Sequence, residues 1–395
     1  MDTQQRYLTQ NVVEDLGEKL VLIAGPRQVG KTTFARYIGQ HFFEPFAYFN
    51  WDYQPDRKEI ISSRFPADVQ LIIFDELHKY RNWQSYIKGL FDKRKDNFRL
   101  LVTGSAKLDV YRRGGVSLTG RYHHYVLHPF SLAELLQIKN RHFPGGGLEF
   151  NPHSQAKEVL DALLEFGPFP EPYLKQNKRH WRRWQSDRVD RLVKEEIREM
   201  SAIADLSNLQ VLVEILPSKV ASSLSINNLR EDLEVAHKTA VNYLELLERF
   251  YFHFRIYPFA GKVIRSLRKP AKLYLWDWSV LQGEESEGTR FENLVASNLL
   301  KFVDYLRNVE GYRVDLHYLR DLEGREVDFL VSVNKRPWFA VETKLGGTAV
   351  SRPLRYFRDK LSIPHSYQVV LEENVDVVQT GVRIISAEKF LTGLV

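Results

Sequence analysis

Five short apolar runs punctuate the first third of the chain, at residues 20–24, 46–49, 71–74, 100–102 and 122–127. Each is nearly continuous rather than alternating, the pattern of a strand buried on both faces. Amphipathic stretches at 31–40, 83–95 and 106–113 separate them and predict helices. Strand and helix in alternation predict an open parallel α/β sheet. From Ser131 the pattern changes. Ser131-Leu132-Ala133-Glu134 reads as a capping box that starts a helix. Pro144-Gly145-Gly146-Gly147 reads as a loop, and residues 151–200 as mainly helical, broken at Gly167-Pro168-Phe169-Pro170. Ser225 opens a further helix. Another begins at Ala236-His237-Lys238-Thr239 and runs to about Arg249, with Leu244, Leu247 and Phe250 on one face. The basic stretch 261–272 reads as a β-wing. Beyond it one helix, at 291–302, mixes with strands near 316–318, 327–333 and 339–344, an α/β arrangement of a different kind.

Composition narrows the classes. The chain has 395 residues, 44% apolar and 27% charged, enough for two to four domains and unlike a disordered chain. Its 56 Lys and Arg against 50 Asp and Glu give a formal charge of +6, which permits a nucleic-acid partner without arguing for one. With no cysteine, disulfides, thiolate metal sites and a Cys nucleophile are excluded. The first six residues have no apolar core, and no run is long enough for a membrane helix. The expectation is a soluble cytoplasmic protein.

The strongest chemical signal is Gly25-Pro26-Arg27-Gln28-Val29-Gly30-Lys31-Thr32, which fits G-x-x-x-x-G-K-[ST] between a strand and a helix, with Thr33 following. Glycines let the backbone wrap phosphates, inward N–H groups bind them, and the helix N-terminus adds a favourable dipole. Lys31 is expected on the β- and γ-phosphates and the Thr32 hydroxyl on Mg²⁺. Asp75 and Glu76 end a buried strand, where carboxylates are costly unless used. Asp75 is placed to support Mg²⁺ and Glu76 to polarise an attacking water. Thr103 and Ser105 end the next strand, as γ-phosphate sensors or, for Ser105, as a helix cap. Arg121 is a candidate for stabilising transition-state charge from a neighbouring subunit, with Arg112 and Arg113 as competitors. His123, His124 and His128 lack the partners of a metal site.

In that order, the phosphate loop, the Asp-Glu strand, Thr103-Gly104-Ser105, Leu118-Thr119-Gly120-Arg121 and the stretch Leu127 to Glu134 resemble the archaeal and bacterial AAA+-type ATPases that carry a C-terminal domain of uncharacterised function. Gly167-Pro168-Phe169-Pro170, Pro270-Ala271-Lys272-Leu273-Tyr274, Phe291-Glu292-Asn293-Leu294-Val295, Val327-Asp328-Phe329 and Glu342-Thr343-Lys344 extend the resemblance over nearly the whole chain. It implies a P-loop AAA+-type parallel sheet over 1–135, a helical lid or connector over 136–205, a winged-helix-like unit over 206–270 and a restriction-endonuclease-like α/β domain over 271–395. ATP and Mg²⁺ are the implied cofactors, and a homo-oligomer the implied assembly. Two departures stand out. The usual Asp-x-Gly-Leu is here Asp277-Trp278-Ser279-Val280, and the sensor is Thr or Ser rather than Asn.

Glu292, Asp328, Glu342 and Lys344 resemble a metal-dependent endonuclease core. Glu342 and Lys344, two apart in a strand, share one face, and Asp328 on the preceding strand meets them. Two carboxylates suit Mg²⁺, with Lys344 on water or phosphate. The plainer alternative is a buried Glu–Lys pair in a degenerate nuclease fold. Lys238, Thr239, Asn242 and Arg249 on a helix, with Lys262, Arg265, Arg268 and Lys269 on the wing, suit DNA phosphates or a solvated surface. Three functions follow. The first is an ATPase coupling nucleotide state to a DNA-binding C-terminal region. The second is a Mg²⁺-dependent nuclease with a regulatory ATPase, and the third a nucleotide-dependent protein-binding switch.

Overall fold

The computed structural model describes residues 5–105, 120–198, 206–260, 270–283 and 286–395. The expected helix at 106–113, Arg112, Arg113, Leu118 and Thr119, and the wing cations Lys262, Arg265, Arg268 and Lys269, lie outside the described residues. The chain divides into two compact units, Met1–Pro129 with Arg249–Tyr251, and Phe130–Glu248 with Phe252–Val395.

In the first unit, β1 (Leu20–Ala24), β2 (Phe46–Asn50), β3 (Leu71–Asp75), β4 (Arg99–Gly104) and β5 (Tyr122–Val126) form one sheet. Its order is β2-β3-β4-β1-β5, and every pairing is parallel. This is the expected P-loop α/β fold. β1 and β3 are buried at every residue, as their unbroken apolar runs require. β2 is only half-buried, and so is β5 apart from Tyr125, because each is an edge strand. Their expected double-sided burial is therefore corrected by their place in the order. Helices Lys31–Phe42 and Trp83–Arg94 stand where expected; Thr9–Asp15 and Gln54–Ser62 are additional. Crossing from β1 to β2 and returning through β3 to β4 sets the C-terminal tips of β1, β4 and β3 side by side.

The second unit begins with helices Leu132–Leu135, Ala156–Phe166, Pro170–Lys175 and Lys178–Arg191. The capping box at Ser131 is not made. The Ser131 hydroxyl donates to the Val395 carbonyl at 2.6 Å and accepts from Lys301, while Glu134 pairs with the buried Lys301. A cation 167 residues later in the chain thus takes the glutamate that local pattern assigns to the helix start. Helices Ile226–Asp232, capped by Ser225, and His237–Arg249 follow as expected.

Among the described residues eight strands complete this unit: β6 (His253–Pro258), β7 (Lys272–Leu275), β8 (Val314–Arg320), β9 (Glu326–Val333), β10 (Arg336–Lys344), β11 (His365–Val370), β12 (Asp376–Gln379) and β13 (Val382–Ser386). Their order is β12-β13-β11-β10-β9-β8-β6-β7. The helix Glu287–Asn308 packs on β7 to β10 through buried Phe291, Leu294, Val295, Leu299, Phe302 and Val303. The Gly167 turn meets the Asp277-Trp278-Ser279 segment. Gly167 has φ +79°, and a Cβ there would stand 2.6 Å from Ser279 Oγ. Asp277 accepts from Gln185 and Arg188 at 2.7 and 3.1 Å. Two separate sequence motifs therefore form one structural joint. No helix among the described residues is long and apolar enough to cross a membrane.

Candidate functional site

The phosphate loop leaves β1 at Gly25, whose φ is +150° and whose α-carbon has no room for a methyl: a Cβ would lie 2.5 Å from the Leu127 carbonyl. Gln28 at φ +63° and Gly30 at φ +95° turn the chain into the helix Lys31–Phe42, as a loop of inward N–H groups requires. The Gln28 side-chain carbonyl is buried without a hydrogen-bond partner among the described residues. Pro26 and Val29 are buried; Arg27, Thr32 and Thr33 are exposed at the mouth. Buried Lys31 folds back over the loop and donates to the Gly25 and Pro26 carbonyls at 3.0 and 2.8 Å. Arg6 holds the loop from outside, donating to the Val29 carbonyl at 3.0 Å and the His128 carbonyl at 2.6 Å.

Asp75, at the tip of β3, is buried and is the hub. It accepts from Thr32 Oγ1 at 2.6 Å, from the Tyr48 hydroxyl at 2.7 Å and from Thr103 Oγ1. Burial first, and then the hydrogen bond and charge of Asp75, raise the Tyr48 pKa, so Tyr48 stays a neutral donor. Three hydroxyls thus compensate one buried carboxylate. Thr103 spends its hydroxyl on Asp75. Ser105 Oγ lies 3.4 Å from Glu76 Oε2, so both residues position the two carboxylates. The helix that Ser105 was expected to cap lies outside the described residues.

Glu76 sits at φ +55°, a left-handed conformation sparsely used by residues with a side chain, and it turns β3 into the short helix Leu77–Lys79. His78 Nδ1 lies 3.5 Å from Glu76 Oε2. Burial, then the charges of Lys31 and Lys79, lower the His78 pKa to about 4. At neutral pH that contact is therefore made by a neutral ring.

Arg121 stands elsewhere. Its carbonyl accepts from Leu20 N at 3.1 Å, and Tyr122 pairs with Leu20 at the start of β1. The phosphate loop follows the other end of β1, roughly 15 Å away. Arg121 pairs with Asp92 at 2.7 Å. At that distance its side chain does not reach its own phosphate loop. His123 faces Asp15 at 3.7 Å, and among the described residues no three His, Asp or Glu side chains converge as a metal site.

In the second unit the structure brings Glu292, Asp328, Glu342 and Lys344 into one neighbourhood and adds Lys272, Tyr274 and Glu326. Lys272 Nζ stands 2.6 Å from Glu326, 3.3 Å from Glu292 and 3.7 Å from Asp328. Tyr274 donates to Glu292 at 2.7 Å; Thr343 donates to Asp328 through its backbone N and Oγ1 at 2.8 and 2.7 Å. Lys344 pairs with Glu342 at 2.9 Å. Burial and then Asp328 raise Glu292 to about 8 and Glu342 to about 7. On the helix His237–Arg249, Lys238 and Asn242 are exposed, Thr239 and Arg249 half-buried.

Tyr48, His78, Arg6 and Lys272 escaped sequence reasoning. Only His78, two residues past the Asp-Glu pair, and Lys272, inside a recognised motif, carried a local signal.

Residues 17–136 match the model of an AAA domain. The first unit carries an AAA domain. Its five-stranded parallel sheet and phosphate loop are that nucleotide-binding fold. Residues 157–283 and 287–390 match two further models, each described as a domain of unknown function (DUF8612 and DUF4143). The boundary between them runs through one sheet, with β6 and β7 on one side and β8 to β13 on the other. Similar chains include the uncharacterized protein MJ1544 of Methanocaldococcus jannaschii, 24% identical over 86% of this chain and 78% of its own. The uncharacterized protein Rv2008c of Mycobacterium tuberculosis is 20% identical over 85% of this chain and 73% of its own. Among solved structures, the Thermotoga maritima RuvB Holliday junction branch migration motor aligns with 62% of this chain and 87% of its own, at 18% identity and a TM-score of 0.30.

Proposed function

We propose that the AAA domain binds ATP with Mg²⁺ and hydrolyses it, and that nucleotide state governs what the second unit binds. The observation behind this reading is the meeting of three strand tips. The Lys31 loop after β1, Thr103 on β4 and Asp75-Glu76 on β3 adjoin, with Thr32 and Asp75 joined at 2.6 Å. That pair supplies hard oxygen donors at the mouth of a phosphate loop, which fits Mg²⁺. The ion, when bound, neutralises phosphate charge. Lys31 leaves the Gly25 and Pro26 carbonyls for the β- and γ-phosphates. Asp75, held by Tyr48 and Thr103, fixes Thr32. Glu76, beside Ser105 and a neutral His78, orients the attacking water and takes its proton. Transition-state charge is met by Arg121 of a neighbouring copy in a homo-oligomer. Glu76→Gln should keep ATP binding and lower the hydrolysis rate by about 100-fold or more. Wild-type turnover by that variant would remove Glu76 from the mechanism.

For the second unit, DNA is the partner that exposed Lys238 and Asn242 favour. Its affinity should fall steeply as salt is added. Absence of DNA binding at low salt, together with ATP-dependent capture of a protein, would favour the protein-binding switch instead.

A further inference from the structure

The carboxylate cluster of the second unit sits where a nuclease-like reading expects Mg²⁺, and its residues do not fit that ion. The side chain of Lys272 is 3% exposed and reaches from the edge strand β7 into the middle of the cluster. Its ammonium faces Glu326, Glu292 and Asp328 at 2.6, 3.3 and 3.7 Å. The first two are hydrogen-bond distances, and the third is an ion-pair distance. Most of the other oxygens are committed as well, the second Glu342 oxygen being buried without a hydrogen-bond partner among the described residues. Both Thr343 groups hold one Asp328 oxygen, Tyr274 holds Glu292, and Lys344 with Ser351 holds one Glu342 oxygen, at 2.9 and 3.2 Å. Among the described residues no three carboxylates converge at metal-holding geometry. Lys272 is also the centre of the Pro270-Ala271-Lys272-Leu273-Tyr274 motif, which the nucleotide chemistry leaves without a role.

We infer that Lys272 is the resident cation of this cluster, standing where a divalent metal would stand, so that the second unit takes no metal there and does not cut nucleic acid. The inference is independent of ATP hydrolysis. A buried ammonium on Glu326, Glu292 and Asp328 contributes charge balance to the fold, and removing it leaves buried carboxyl groups without their shared donor. Without Lys272, Glu292 and Asp328 lose their nearest cation, while Arg320 stays on Glu326 and Lys344 on Glu342 at 3.2 and 2.9 Å, and a divalent ion is the species that restores the balance.

The test uses the full-length, nucleotide-free chain and Mn²⁺ alone, with free Mn²⁺ read by electron paramagnetic resonance. Wild-type protein should bind no Mn²⁺ that depends on Asp328, so Asp328→Asn leaves its isotherm unchanged. Lys272→Ala should gain one Mn²⁺ per chain, and adding Asp328→Asn should remove it. Asp328-dependent Mn²⁺ binding by the wild type overturns the inference. So does a Lys272→Ala protein with native circular dichroism that binds no more Mn²⁺ than wild type. Should Lys272→Ala fail to fold, the wild-type comparison with Asp328→Asn still decides.

Discussion

Asp75 shows how one buried carboxylate organises a site. Its three hydroxyl partners come from β2, from the helix after the loop and from β4, so Tyr48, Thr32 and Thr103 are fixed by a single acceptor. His78 is the other residue of consequence. Its pKa is held near 4 against an ordinary 6.5, by burial first and then by Lys31 and Lys79. The unfolded chain therefore binds the extra proton between those values, and stability contributed by the neutral ring is present above pH 6.5 and lost as pH falls toward 4. The full contribution is about 3 kcal/mol. His142, in the second unit, is also lowered to about 4 by burial and titrates in the same window. His78→Gln should therefore flatten, without abolishing, the loss of denaturant resistance between pH 6.5 and 4.5. An unaltered pH profile would contradict the buried neutral ring.

At the scale of elements, the turn between β1 and its helix is the most constrained piece of backbone. Gly25→Ala places a methyl 2.5 Å from the Leu127 carbonyl at φ +150°. It should cost about 1–3 kcal/mol and weaken ATP binding at least about tenfold. Thermal melting and nucleotide titration of that variant check both, and wild-type affinity would show that the loop tolerates a different path. These elements were legible in the chain because their signals are local. Unbroken apolar runs mark β1 and β3, and the glycine spacing marks the loop. What stayed hidden depends on partners far along the chain. Tyr48 reaches Asp75 across 27 residues, and Lys301 reaches Glu134 across 167, undoing a capping box that was locally well formed. β2 and β5 have interior-like sequences but edge positions, because burial follows strand order, which no local pattern encodes. Glu292, Asp328, Glu342 and Lys344 were legible as a group. The cation among them was not, since Lys272 enters from β7, on the opposite side of β6 and β8.

For the whole molecule, an AAA domain is joined to a second unit whose single eight-stranded sheet spans two domains of unknown function. Asn293, on the helix Glu287–Asn308, ties the edge strand β7 to that helix, accepting from Leu275 N at 2.8 Å and donating to its carbonyl at 2.7 Å. β7, with Lys272, belongs physically to the same eight-stranded sheet as β8 to β13 although a different family model covers it. Arg121, at the end of its sheet away from the phosphate loop, makes hydrolysis a property of an assembly in the mechanism proposed above. The proposed hydrolysis depends on nucleotide entering the loop over which Lys31 now folds. Calorimetric titration of Mg²⁺–ATP into the full-length protein tests that most directly. The account predicts a saturable heat with one nucleotide per chain, abolished in Lys31→Ala. No heat with the wild type, or equal heat from the variant, would contradict it.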